Sequence, residues 1–384
     1  MITPPDTPPR LPPSITQWFP LVPRPRPPAS GLQERLAEIN CLAYTPTAAS
    51  TAIPAAEALN KAALLASDLG QPELAARLCW QQFRAFHHAG PLPPALATAA
   101  LQPLVNLGRL AARARDYTHA YTIFDDLYNA TRTRTVILLD GIQIDPVRLL
   151  NGEEAAHTAS RFLWAVLLGD GTRALARAGR WDDALRHLHR HHGIGKRLLD
   201  GRQTLILARH HTDDTEGAHA ALADSELSEP WERAVAALLH VLCLYADDPG
   251  AENLTAAVEA YETLDPSPAH ILFYARLGLT LLDLNYGEIG QARVAARLTD
   301  AITRGTDGRA AADALSHIPL QARLTDSQLT AMSRIATAGG IGQPTPSPVL
   351  LEHLSGAARA AARSLDDTLR TIGNRTSPSA IRRT

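Results

Sequence analysis

The chain has 384 residues, enough for two or three ordinary domains or one long repeat array. Charged residues make up 20% and hydrophobic residues 45%, a globular balance rather than a disordered one. A formal net charge of −2 speaks against a general polyanion binder but leaves a local basic patch open; direct nucleic-acid binding is not expected.

Residues 1–30 are proline-rich, which forbids helix and central strand and predicts a disordered arm with polyproline II character. Trp18 and Phe19 interrupt it, and such a pair is expected to dock either on the chain's own helices or on a partner. The run Arg24-Pro25-Arg26-Pro27-Pro28 has the look of an SH3-type ligand, but short proline motifs of this kind arise from composition alone. The start lacks a basic stretch followed by an apolar run, and no apolar stretch is long enough to span a bilayer, so a cytoplasmic protein is expected. Cys41, Cys79 and Cys243 stand far apart and outside any CxxC motif; they predict small buried hydrophobes, with no metal and no cofactor.

From residue 31 to about 337 apolar residues recur at three and four, and turns cut the chain every few helical turns. These turns fall at Gly70-Gln71-Pro72, near Asp116, at Gly179, near Asp214, at Pro249-Gly250 and at Gly287. In the second half they repeat at roughly 35 residues, the period of helix-pair arrays. Residues 134–145 break the pattern. They are rich in β-branched residues around Asp140-Gly141, which predicts an inserted β-hairpin with its Ile and Leu face on the helices. Asp140 and Asp145 look like paired carboxylates, yet a turn residue and a residue preceding Pro146 account for them.

Residues 187–203 hold His187, His189, His191, His192, Arg190, Lys196, Arg197 and Arg202. His187 and His191 lie one helical turn apart, a spacing that can chelate a metal, but no third ligand can be assigned. Gly193 and Gly195 are expected to end one helix and lead into the next. Backbone N–H groups there, with Lys196, Arg197 and Arg202 nearby, would suit a carboxylate, a phosphate or an acidic peptide. The competing account is a solvated basic helix end with a C-terminal glycine. His210 and His211, with Asp213 and Asp214, belong to another helix end, where the dipole favours histidine. After residue 310 the helical pattern weakens. Residues 338–348 read as a linker, 349–373 as a terminal amphipathic helix, and 374–384 as a disordered basic tail.

Three stretches carry large and small residues at matching positions. Leu104, Leu107-Gly108 and Ala111 are followed by Ala120, Phe124 and Leu127; Tyr274, Leu277-Gly278 and Leu281 by Gly290 and Val294; Leu59, Ala62-Ala63 and Ala66 by Ala75 and Cys79. On these residues the chain resembles the tetratricopeptide-repeat superfamily over residues 55–310. The resemblance implies an all-α solenoid of stacked antiparallel helix pairs. The chain also resembles the sensor portion of actinomycete regulators that join a helix-turn-helix to such an array, here with a proline arm in place of the DNA-binding domain. Only two lysines occur, Lys61 and Lys196, so the positive charge is nearly all arginine, the bias of a high-GC genome. The function expected is a non-catalytic protein- or peptide-binding module, regulatory or adaptor in role, with a concave helical groove. The alternative is an enzyme, or an accessory subunit of one, centred on residues 187–203.

Overall fold

The computed structural model describes residues 17–25, 31–44, 52–244, 250–284, 287–341 and 345–376. Most of the proline arm, including Arg26-Pro27-Pro28, lies outside the described residues, as do the turn residue Pro249, linker residues 342–344 and tail residues 377–384. The fold is all-α with one small antiparallel hairpin. No helix among the described residues is long and apolar enough to cross a membrane. The helical stretch expected over residues 31–337 is divided between two compact units. Of the described residues, the first comprises those within 31–174 and 340–376, the second those within 17–25 and 175–339.

The first unit opens with α1 (Leu32–Tyr44), α2 (Ile53–Asp68), α3 (Pro72–His88), α4 (Pro94–Arg113) and α5 (Tyr117–Thr133), each packed on the one before it. Proline stands in the first turn of α2, α3 and α4, where its missing N–H costs nothing. Gly70 closes α2 at φ +69°, with the Gln71 N–H bonded back to the Ala66 carbonyl. Arg115 closes α4 in the same way at φ +65°, and Asp116 then caps α5 by accepting the His119 N–H. The hairpin follows as β1 (Ile137–Leu139) and β2 (Ile142–Ile144), paired Ile137 to Ile144 and Leu139 to Ile142. Asp140 and Gly141 both take positive φ, as a two-residue type I′ turn requires. Leu139 and Ile144 are buried on one face, while Leu138 on the other is exposed. Asp145 caps the short α6 (Pro146–Leu149) by accepting from Val147 and Arg148. Then come α7 (Gly152–Val166), which packs on α4 and α5, a π-helical turn at Leu167–Gly171, and α8 (Thr172–Arg177), within which the boundary between the units falls.

The second unit continues with α9 (Trp181–Arg190), α10 (Asp200–His211), α11 (Thr215–Ala223), α12 (Pro230–Leu244), α13 (Gly250–Glu262), α14 (Ile271–Leu282) and α15 (Glu288–Arg304). The same left-handed closure returns at Gly179, His192 and Asp213. The helix end assigned to Gly193 is therefore formed one residue earlier: His192 takes φ +52°, and the Gly193 N–H reaches the Leu188 carbonyl at 2.8 Å. Past residue 310, where the apolar period weakens, three further helices form. They are α16 (Gly308–Leu315), α17 (Ile318–Gln321) and α18 (Asp326–Ala338). Their starts are fixed by side-chain caps: Asp307, His317 and a Thr325–Gln328 capping box.

The last described helix, α19 (Pro348–Thr376), belongs to the first unit, where it packs on α1, α2 and α3. Leu354, Ala357, Ala358, Ala361 and Leu365 form its buried stripe. Cys79 and Cys243 are buried, whereas Cys41 is exposed: it falls on the outer side of α1, away from Leu36 and Ile39.

Candidate functional site

The stretch over residues 187–203 is a helix end, a loop and a helix start. On α9, Trp181, Ala184, His187 and Leu188 face the core. His187 and His191 do come together, with ring centroids 4.8 Å apart, and both are buried. Among the described residues no third histidine, cysteine or carboxylate joins them in a metal-holding group.

Three of the four lysine and arginine side chains of the stretch, Lys196, Arg197 and Arg202, face carboxylates of their own chain. Lys196 Nζ lies 3.1 Å from Asp224. Arg202 is buried and donates to the Ala221 carbonyl at 2.7 Å and to Asp224 at 3.0 Å. Arg197 Nε donates to Glu232 at 2.9 Å, and the Glu232 side chain is fully buried. Hydrogen bonds from Lys196 and Arg202 hold the Asp224 carboxyl below the usual carboxylate range. Burial alone would push Glu232 up, but hydrogen bonds from Arg197 and the Glu229 and Ser228 backbones outweigh it and hold that carboxyl down. The backbone joins in: the Glu226 N–H donates to the Lys196 carbonyl at 2.9 Å. Together these contacts clasp the segment before α10 and the first turn of α10 onto the segment between α11 and α12 and the first turn of α12. At the N-terminus of α10, where an anion was expected, the chain supplies its own carboxylate, Asp200. Gly201 is a glycine because the Gly193 carbonyl sits where a side chain would start, its carbon 2.9 Å from a Cβ position.

Trp18 and Phe19 lie in the core of the second unit, 5% and 1% exposed. Residues 21–25 follow without regular structure. The Leu21 N–H donates to Gln203 Oε1 at 2.7 Å, and Gln203 Nε2 donates back to the Leu21 carbonyl at 2.7 Å. A second bond from Nε2 to the Leu198 carbonyl, at 2.8 Å, fixes the carboxamide. Arg24 reaches Asp200 at 2.7 Å, and the Arg276 guanidinium lies 5.3 Å from the centre of the Trp18 ring. Proline composition hides this attachment, because the residues that make it, Asp200 and Gln203, lie far along the chain.

In the first unit, α3 and α19 border an open cleft of about 470 Å³. Arg77, Trp80, Gln81, Arg84 and His88 line it from α3, and Ala362 and Asp366 from α19. Arg77 and Arg84 are exposed and engage no carboxylate or carbonyl among the described residues, in contrast to Lys196, Arg197 and Arg202. They stand two helical turns apart, about 10 Å along the axis, with Trp80 between them. The spacing 77, 80/81, 84, 88 was open to sequence reading as an exposed face that keeps a tryptophan; the opposing wall on α19 was not. No protein-family model, curated protein or solved structure matches this chain.

Proposed function

We propose that the chain is a non-catalytic binding module that takes up a protein or peptide partner along its paired helices, in a regulatory or adaptor role. The observation that carries this reading is the cleft on α3 and α19. Trp80 offers an apolar, planar surface, Arg77 and Arg84 hold two unspent guanidinium forks on either side, and Asp366 stands on the far wall. That combination suits an acidic segment with carboxylates two helical turns apart and a basic or hydrogen-bonding group opposite Asp366. Close packing of neighbouring helices, at Gly108 against Phe124 and at Gly278 against Tyr261, supports the same reading, since paired helices that present a common face must approach closely.

The test compares capture by the wild-type chain and by an Arg77→Ala/Arg84→Ala variant, followed by titration of whatever the wild type alone retains. Losing one charge-assisted contact should weaken binding about tenfold. The loss should shrink as salt rises, because exposed charges are screened. Equal retention and equal affinity for both proteins would sink the assignment to this cleft.

A further inference from the structure

We propose that the face of α10 carrying Asp200 and Gln203 is a recognition groove for an extended peptide. In this structure residues 18–24 fill it as an internal ligand. The partner that displaces them is a segment of the same chemistry: two adjacent aromatics, an apolar residue two positions on, and a cation three further. This groove is separate from the cleft on α3 and α19, and the two assignments stand or fall independently.

Leu21 is held through its backbone. One carboxamide both accepts from and donates to the backbone of a single residue. Those are the two bonds a neighbouring β-strand would supply, and they read main chain rather than side chain. Gln203 is 0% exposed and pinned to the Leu198 carbonyl, so it is set for this task without reorganisation. Specificity comes from either side of that grip. Trp18 and Phe19 supply the apolar anchors, with Arg276 over the indole and Asp313 holding Arg276 at 3.0 Å. Asp200, nearly buried at the start of α10, selects the cation.

The internal ligand fits incompletely. Trp18 Nε1 is buried with no acceptor among the described residues, a cost a competing segment can avoid. Pro23 within it and Pro25 just after it lack a backbone N–H and lie outside any helix or strand, so neither adds a ladder hydrogen bond. What favours it is its tether, which keeps its local concentration high.

The test uses the full chain with a site-specific protease sequence in place of residues 26–30. After cleavage, a fluorescent synthetic peptide with the sequence of residues 14–27 is titrated by anisotropy. Saturable binding, reversed by unlabelled peptide, is expected. A peptide N-methylated at Leu21 loses the donor to Gln203 without touching the protein, and it should bind about tenfold more weakly. The Gln203→Ala chain should show the same loss, and Asp200→Asn a severalfold loss that fades at high salt. Loss of helical circular dichroism on cleavage would make residues 18–24 a structural strap and overturn the proposal. So would failure of the peptide to exchange against a large excess, or equal affinity for the N-methylated peptide.

Discussion

At Gly108 a side chain has no room: the first carbon added would lie 2.7 Å from Phe124 Cζ. At Gly278 it would lie 2.6 Å from the Tyr261 hydroxyl, on a ring that stacks on Tyr274 at 4.5 Å. Both obstacles are side chains that can shift at a cost, so Gly108→Ala and Gly278→Ala should each destabilise by roughly 1–3 kcal/mol. Gly201→Ala should cost more than either, because its obstacle is the Gly193 backbone. Chemical denaturation of the three variants checks the order, and a Gly201→Ala chain as stable as the wild type contradicts it. His240 gives a second test at this scale. Burial holds its imidazole below the ordinary value, and the charge of His219 adds to the effect. As pH falls below about 6.5, the unfolded chain takes up a proton that the folded chain still refuses, so folding is disfavoured. Between pH 7.5 and 5.5 the melting temperature of the wild type should fall more steeply than that of His240→Gln; parallel curves would remove the histidine from the explanation.

Elements differ in how far the sequence announces them. The hairpin is legible because Asp140-Gly141 satisfies a local steric demand, positive φ at two successive residues, that nothing distant alters. The pairing of Gly108 with Phe124 is legible for a related reason, that close approach of two helices favours the smallest residue, whereas Gly278, read with Gly290 and Val294 of the following helix, has Tyr261 of the preceding helix as its nearest neighbour. The cations of residues 187–203 are a different case. Their number and spacing are visible in sequence, but their chemistry is decided by Asp224 and Glu232, which lie 28 and 35 residues downstream of the cations they bind, Lys196 and Arg197. A contact over that separation leaves no local pattern. The same holds for Gln203, whose partner Leu21 is 182 residues away, and for the cleft wall that α19 supplies. The clasp itself predicts acid sensitivity. Asp224 and Glu232 are both held below their ordinary range in the folded chain, so the stability they contribute is present above about pH 4 and is lost as pH falls through their lowered values. Glu232→Gln should weaken the acid dependence of unfolding; an unchanged dependence would place the acid response elsewhere.

On the scale of the molecule, each unit has its own apolar core, and each core contains one buried cysteine. Burial pushes the Cys79 and Cys243 thiols up to about 12, which leaves almost no thiolate at neutral pH. Cys41 is exposed. A thiol reagent should therefore modify Cys41 quickly in the native chain and the other two only on opening, so that Cys79 reports the first unit and Cys243 the second. A chain ending at residue 345 lacks α19, which covers α1, α2 and α3. Mapped by mass spectrometry, its Cys79 should become reactive in native buffer while Cys243 stays protected. Protection of both would mean that the first unit closes without its last helix.

That helix also fixes an order of events during synthesis. The apolar faces of α1, α2 and α3 leave the ribosome early, yet the stripe of Leu354, Ala357, Ala358, Ala361 and Leu365 that covers them is translated only after the whole second unit. The second unit has the opposite arrangement: residues 18–21 emerge first and wait for α10. The half of the protein encoded later is thus complete earlier, and the nascent chain carries an uncovered hydrophobic surface for most of its translation, the state in which a holding chaperone finds its substrate.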